Sequence, residues 1–89
     1  MILKIRPNEA GYNRIAVAPP RKAGSAVVRN RLRRIGKEAY RTQKERFEPG
    51  FDIAIIIFPG DYSFAERQNQ LRDLFAQAGL LREQTDSAH

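Results

Sequence analysis

The sequence predicts an α+β fold, a two-layer sandwich in which helices cover one face of a small mixed sheet. The first sign is a pair of short stretches before residue 19 in which apolar and polar residues alternate. The second is an apolar run at 53–58 without alternation, and the third is a segment with helical periodicity on either side of that run. Because the chain has 89 residues, we expect a single domain over 1–81 with a small core.

The two alternating stretches are predicted as strands over Met1–Arg6 and Asn13–Ala18. A turn rich in Pro, Asn and Gly separates them at 7–11, so we expect the two strands to pair as a hairpin. Pro19 and Pro20 end the second strand, because proline has no N–H group for a sheet ladder.

The first helix is predicted to begin at Ser25 or Ala26, where the Ser25 hydroxyl can accept from the free N–H groups of the first turn. Four apolar residues share one face of it at spacings of four and three: Val28, Leu32, Ile35 and Ala39. Gly36 is less favourable there than alanine by roughly 1 kcal/mol, but it would let a neighbouring backbone approach closely. The helix should end before Pro49.

The run Asp52–Phe58 is predicted as a central strand covered on both faces, because it is apolar throughout from Ile53 onward. An acidic residue stands at each end of this run. These two residues, Asp52 and Asp61, are interpreted as turn residues.

The second helix is predicted to begin after Ser63, which has the capping-box spacing to Glu66. Its buried stripe is expected to comprise Leu71, Leu74, Phe75 and Ala78. Gly79 should cap its C-terminal end, after which the leucine pair that follows can fold back onto the core. Residues 82–89 are polar and are expected to form a disordered tail.

The charge of the chain is unevenly divided. Between Arg21 and Arg46, ten of twenty-six residues are Lys or Arg and only two are acidic. Residues 1–47 hold thirteen basic and three acidic side chains, whereas residues 48–89 hold three basic and seven acidic ones. Because the basic residues concentrate on one helix, the pattern favours a folded surface for a polyanion over a generally basic protein without a specific partner.

Several function classes are disfavoured by what the sequence lacks. There is no Cys for a disulfide framework or a thiolate metal site, and the single His is the last residue, His89. The ten acidic residues show no metal-ligand spacing and no Ser has a histidine base, so we expect neither catalytic residues nor a metal site. No apolar run approaches the ~20 residues of a membrane span and no signal-peptide pattern is present, so a cytoplasmic protein is expected.

Phosphate binding is the chemistry that the basic helix favours, since Arg can hold a phosphate through two hydrogen bonds. Asn30 adds a donor and an acceptor for a base edge or a sugar hydroxyl, and a local backbone contact is the alternative. Gly24 would let a phosphate approach the N–H groups of the first helical turn. Most of the aromatic residues are expected in the core, and Tyr12 is the best candidate for stacking on a base.

The bacterial ribonuclease P protein subunit has a signature that this chain resembles in the run Arg21-Lys22-x-Gly24-x-Ala26-Val27-x-Arg29-Asn30-Arg31-x-Arg33-Arg34-x-x-Lys37-Glu38-x-x-Arg41. A core strand and an amphipathic helix follow in the order of that family, so the resemblance spans residues 2–81. It implies a fold similar to the fourth domain of translation elongation factor G. It also implies a left-handed strand–helix–strand crossover, against the general right-handed rule.

The resemblance implies a function that the residues alone do not. In that ribonucleoprotein the RNA subunit is the catalyst and holds Mg²⁺, so the protein would bind no cofactor itself. The protein would bind the catalytic RNA subunit through the basic helix and would contact the 5′ leader of precursor tRNA in a cleft. The reaction is endonucleolytic removal of that leader. No protein partner and no membrane contact follow from it.

The resemblance assigns roles by position. The residues that match the RNA-binding helix and its upstream basic turn are Arg21, Lys22, Arg29, Asn30, Arg31, Arg33, Arg34, Lys37 and Arg41. The candidates for contact with the leader are Ile2, Lys4, Tyr12, Arg14, Ala16 and Ala18.

The sequence departs from the family in three ways. Family members usually begin with an additional helix whose phenylalanines help to wall the leader cleft. This sequence begins at the first strand, so either it is a short form or an N-terminal segment has been lost. Pro19 and Pro20 replace a usual strand end, and Lys37 replaces a frequent Arg, which should hold phosphate less rigidly.

Two other functions stay open at this point. A ribosomal or translation-associated RNA-binding protein, or a DNA-binding protein with the basic helix in a major groove, would show the same charge pattern. An intrinsic nuclease is the other, and the scattered acidic residues give it little support.

Overall fold

The computed structural model describes residues 1–82. Its regular elements are, in chain order, strands β1 (Ile2–Pro7) and β2 (Arg14–Ala18), helix α1 (Ala26–Arg41), a 3₁₀ turn (Lys44–Arg46), strand β3 (Phe51–Ile56) and helix α2 (Phe64–Gln77). Both helices pack on one face of a three-stranded sheet, which confirms the predicted α+β class. The disordered tail was predicted over residues 82–89. The Arg82 N–H donates to the Arg46 carbonyl at 2.7 Å, so the prediction does not hold for Arg82, and residues 83–89 lie outside the described residues. The division into one domain and a tail stays a prediction.

The strand order is β1-β3-β2, so the predicted hairpin between the first two strands is wrong. β3 runs antiparallel to β1 and parallel to β2. The central position suits β3 because its apolar residues then have a neighbouring strand on both sides. The short segment between β1 and β2 can span the intervening strand, since two strand spacings amount to roughly 10 Å.

The connection from β2 through α1 to β3 is a strand–helix–strand crossover between parallel neighbours. The left hand implied for this crossover and the likeness to elongation factor G domain four stay predictions. Pro19 and Pro20 follow β2 directly, as expected for residues that end a strand.

Both helix starts are confirmed. The Ser25 hydroxyl accepts a hydrogen bond from the Val28 N–H at 3.3 Å, and Ser63 forms a reciprocal capping box with Glu66. At the end of α2, Gly79 has a φ of +76°, and its N–H donates to the Ala76 carbonyl. The next N–H, of Leu80, donates to the Phe75 carbonyl at 2.9 Å, which completes a glycine-capped helix end as predicted.

The core lies between the helices and the inner face of the sheet. Ile53, Ile55 and Ile57 supply the sheet side of it, and Phe75 from α2 stacks on Phe47 with ring centroids 3.8 Å apart. The residues after α2 return to this core as expected: Leu81 forms a bridge with Phe47. In the predicted stripe of α2, Leu71 and Phe75 are buried and Leu74 is half-buried. Ala78 is exposed, so its prediction is wrong, because it is the C-terminal cap residue of α2.

The outer face of β3 is not covered by any element within residues 1–82, so the prediction of a strand covered on both faces is wrong. Both helices lie on the inner face, and the outward-pointing residues of β3 are only half-buried. Asp52 is one of these outward residues; it is paired within the sheet and is not a turn residue as predicted. The sheet therefore presents one face to solvent.

Gly36 lets α1 lie close to β2. The group that approaches it is the Val17 side chain, whereas a neighbouring backbone was expected. A Cβ atom at residue 36 would lie 2.5 Å from Val17 Cγ1. We expect Gly36→Ala to lower the free energy of unfolding by about 1–2 kcal/mol, because overpacking outweighs the gain in helix propensity. Urea unfolding of the single variants and of Gly36→Ala/Val17→Ala measures this. The double variant should lose less than the sum of the two single variants, and a Gly36→Ala protein more stable than the parent would contradict the expectation.

Candidate nucleic-acid interface

The open face is the solvent-exposed side of the sheet, and the strand register arranges its side chains in three rows. These rows are Arg6–Asp52–Arg14, Lys4–Ala54–Ala16 and Ile2–Ile56–Ala18, each ordered β1, β3, β2. The side chains of alternate positions on the same strands point to the core instead. Polarity therefore falls along the open face, from an arginine row through a lysine row to an apolar row.

The arginine row is held by the carboxylate of Asp52. Arg14 donates to it from Nε at 2.8 Å and from Nη2 at 3.2 Å, which is a bidentate ion pair. Asn8 donates to the same carboxylate at 2.9 Å, and the Arg6 guanidinium lies 3.6 Å from it. One carboxylate therefore joins both arginines of this row and Asn8.

A shallow groove of about 540 Å³ lies over the arginine and lysine rows. Lys4, Arg14 and Ala16, three of the predicted leader-contact residues, line it. Ile2 and Ala18 stand in the apolar row beyond the groove, on the same face. Tyr12 is exposed in the loop before β2 and does not line the groove, although its carbonyl accepts from Asn8.

The outer side of α1 forms a second basic surface, here named the helix ridge. It comprises the exposed residues Asn30, Arg31, Arg34, Lys37 and Arg41. Arg29 and Arg33 flank it and are half-buried, so they do not stand in one fully exposed row with Lys37 and Arg41. The helix ridge points away from the sheet, because the opposite side of α1 carries the buried residues that pack against β2 and α2.

Neighbouring groups hold some of these basic side chains. Arg33 donates to the side-chain oxygen of Asn30 at 2.7 Å, which is a contact between side chains and not the backbone contact considered for Asn30. Arg29 donates to the Gly24 carbonyl at 3.3 Å. Arg41 forms a bidentate ion pair with Glu38. Within residues 1–82, no carboxylate lies within ion-pairing distance of the other three cations of the helix ridge, Arg31, Arg34 and Lys37.

The turn before α1 extends the basic surface. Arg21 and Lys22 are exposed there, and a hydrogen bond from the Ala23 N–H to the Pro20 carbonyl closes the turn at 3.0 Å. Gly24 has a φ of +129°, a conformation that favours glycine. No acidic residue occupies the first turn of α1, so the positive end of the helix dipole is not neutralised.

The sequence did not indicate the contacts that Asp52 makes with Asn8 and Arg14 on the open face, and it misplaced some aromatic residues. The sequence alone places Asp52 at a turn, because only the strand order shows that it lies beside Asn8 and Arg14. Three aromatic residues are exposed where most were expected in the core: Phe58, Tyr62 and Phe64. Tyr62 covers the guanidinium of Arg67, whose Cζ lies 4.6 Å from the ring centroid.

The ion pairs shift two carboxyl groups in the same direction. The hydrogen bond from Arg14, followed by that from Asn8, lowers the pKa of Asp52. The hydrogen bond from Arg41 lowers the pKa of Glu38. Both side chains are therefore anionic at neutral pH.

The lowered pKa of Asp52 predicts a loss of stability in acid. Its contribution is fully present above the unfolded pKa of about 3.9 and is lost as the pH falls through the lower folded value. We expect the thermal stability of the parent to fall more steeply than that of Asp52→Asn below about pH 4. Melting curves from neutral to acidic pH test this, and parallel curves for the two proteins would contradict it.

Within residues 1–82, neither helix has an apolar stretch of the length that a membrane span needs. No group of three or more acidic or histidine side chains there is placed to hold a metal ion.

The similarity to known proteins extends along the folded region of the chain. The sequence model of the Ribonuclease P family matches residues 1–79. The ribonuclease P protein component of Clostridioides difficile is 34% identical over 83 residues, which cover 90% of this chain and 73% of that protein. The component from Petrotoga mobilis is 52% identical over 50 residues, covering 56% of this chain and 42% of that protein.

Solved structures agree in fold. The ribonuclease P protein from Thermotoga maritima superposes with a TM-score of 0.77 at 28% identity, over 84% of this chain and 74% of that one. The Staphylococcus aureus protein gives a TM-score of 0.74 at 24% identity, over 90% and 75% of the two chains, which supports the fold alone. The match across β1, the basic helix and α2 confirms the resemblance noted in the sequence, and the chain belongs to the ribonuclease P protein family, whose work is tRNA processing.

Proposed function

We propose that this protein binds the catalytic RNA of ribonuclease P through the helix ridge and contacts the 5′ leader of precursor tRNA on the open face. The observation that carries the proposal is that these two basic surfaces lie on opposite sides of the sandwich. Two RNA segments can therefore be held at once without competing for the same side chains.

The helix ridge is suited to a folded RNA. Arg31, Arg34 and Lys37 are spaced along one helix side and are not neutralised by a carboxylate within residues 1–82. They are free to contact successive phosphates. The open N-terminal turn at Gly24 adds backbone donors to the same surface.

The open face is suited to a single-stranded chain. Small residues, Ala16 and Ala54, form a flat floor between the arginine row and the apolar row. Lys4 borders this floor and can neutralise a phosphate, while the floor itself can support a base or a ribose. A flat groove of this kind selects for an extended strand more than for a duplex.

The chemical step is assigned to the RNA. The protein offers neither a histidine base nor a carboxylate cluster within residues 1–82, so the proposal gives it no catalytic residue and no metal. Mg²⁺ would be held by the RNA subunit and would supply the hydroxide nucleophile and stabilise the leaving group. The protein's part is to position the precursor, and its expected location is the cytoplasm.

Reconstitution tests the proposal. A bacterial ribonuclease P RNA is assayed for 5′ cleavage of precursor tRNA at low Mg²⁺, with and without this protein. We expect correct cleavage to be restored by the protein. Tight RNA binding without improved cleavage would contradict the leader contact, and absence of binding would favour a ribosome- or translation-associated RNA-binding protein instead.

A further inference from the structure

We infer that Asp52 limits the affinity of the open face for RNA by occupying the edge of Arg14 that would otherwise hold a phosphate. The inference rests on the proposed leader contact. It assigns Asp52 as a positioning residue that sets how strongly the leader is held.

Asp52 is a carboxylate in a groove that is otherwise basic or apolar. The arginine row carries two arginines and one carboxylate, so its formal charge is reduced by the acidic residue at its centre. A carboxylate in a site for a polyanion opposes binding through repulsion of the phosphates. Its presence there must therefore lower the affinity for an RNA strand or perform a separate task.

Direct recognition of a base by Asp52 is disfavoured by its contacts. Oδ1 accepts from Asn8 and from Arg14 Nε, and Oδ2 accepts from Arg14 Nη2 and lies near Arg6. Both oxygens are engaged, so an amino group of a base would have to displace an existing donor. The carboxylate acts on the protein's own arginines.

The pairing geometry identifies what the carboxylate blocks. Arg14 uses its Nε and Nη2 atoms, one of the two edges of the guanidinium that bind an oxyanion bidentately. A phosphate that binds the Nε–Nη2 edge of Arg14 must displace Asp52. A phosphate that does not displace Asp52 can bind only the other edge of the guanidinium. A neutral side chain in place of the carboxylate removes the ion pair and weakens the hold on this edge. The backbone of Asp52 is paired on both sides in the centre of the sheet, so the strand is expected to stay in place.

The test compares Asp52→Asn with Glu38→Gln, which is matched because it also releases one arginine, Arg41, from a bidentate carboxylate. The complete ribonucleoprotein is assayed for binding of precursor and mature tRNA over a range of salt concentrations. We expect Asp52→Asn to raise the precursor-to-mature affinity ratio by about threefold or more and to steepen the salt slope by about 0.7 for one added phosphate contact. Glu38→Gln should leave the ratio unchanged.

Two controls separate the role of Arg14 from a general charge effect. In an Arg14→Ala background, Asp52→Asn should bring a clearly smaller gain, because only the relief of phosphate repulsion remains, and a gain as large as in the parent would overturn the inference. An unchanged or lower ratio for folded Asp52→Asn would also overturn it. Asp52→Ser also removes the carboxylate and takes the place of Asp52→Asn if that variant does not fold.

Failure of the proposed function gives a different result. In that case the parent protein would show no difference between precursor and mature tRNA. The variants are then compared as free proteins with a single-stranded RNA of about eight nucleotides, a length within the usual site size of such surfaces. A larger gain for Asp52→Asn than for Glu38→Gln, dependent on Arg14, would still support the inference, and equal gains would overturn it.

Discussion

Replacing Arg31 and Arg34 by alanine is expected to weaken binding of the ribonuclease P RNA by at least about tenfold, or 1.4 kcal/mol. Both side chains are exposed on the helix ridge and have no carboxylate partner within residues 1–82. Each lost phosphate contact should also reduce the salt slope by about 0.7–0.9, so the double variant should lose about 1.4–1.8. Filter binding or fluorescence anisotropy at several salt concentrations measures both quantities.

The matched control removes two positive charges from the other side of the molecule. Lys4→Ala/Arg6→Ala carries the same charge loss on the open face, away from the helix ridge. It should leave binding of the RNA subunit nearly unchanged and lower the preference for precursor over mature tRNA. If both double variants weaken RNA-subunit binding equally, net charge is responsible and the assignment of the helix ridge is wrong.

Replacing Phe75 by alanine is expected to lower the free energy of unfolding by about 3–5 kcal/mol. The side chain is fully buried, stacks on Phe47 and lies 6.4 Å from the Tyr40 ring centroid, so its removal leaves a cavity at the centre of the core. A domain of this length has a total stability of roughly 4–13 kcal/mol. The melting temperature should fall by about 15 °C or more.

Two further variants provide reference values for this loss of stability. Phe75→Leu keeps most of the buried apolar volume and should lose only about 1–2 kcal/mol. Phe64→Ala removes the same kind of side chain from the same helix at a position that is 42% exposed, and should lose less than about 1 kcal/mol. Thermal melts followed by circular dichroism measure all three, and similar losses for Phe64→Ala and Phe75→Ala would show that Phe75 does not occupy the centre of the core.

Local patterns in the sequence predicted the elements well. The caps at Ser25, Ser63 and Gly79 depend on residues within one turn of each other, so short-range spacing identifies them. The apolar stripe of α1 and the motif around Asn30 are also local. Their match to a known family supplied the function, which charge and spacing alone left open between several RNA- and DNA-binding classes.

Features that depend on strand order could not be predicted from spacing. The proximity of Met1–Arg6 and Asn13–Ala18 along the chain favours a hairpin. In the structure the apolar β3 lies between these two strands instead and pairs with both of them. The pairing of Asp52 with Arg14 spans 38 positions, so no local signal reveals it. The division of the basic side chains of α1 has a related reason, since the packing partners of α1 decide that Arg29 and Arg33 are half-buried while the helix ridge is exposed.

The position of β3 in the middle of the sheet sets the order in which the protein can fold during synthesis. β1 and β2 leave the ribosome before β3 exists, and among the described residues each has β3 as its only partner in the sheet. Neither can complete its hydrogen-bond ladder until residue 56 has emerged, by which time the whole basic helix has been made. The nascent chain therefore exposes a polycationic segment beside two unpaired strands. Pairing with β3 covers the inner edges of both strands, which removes two surfaces on which another chain could pair.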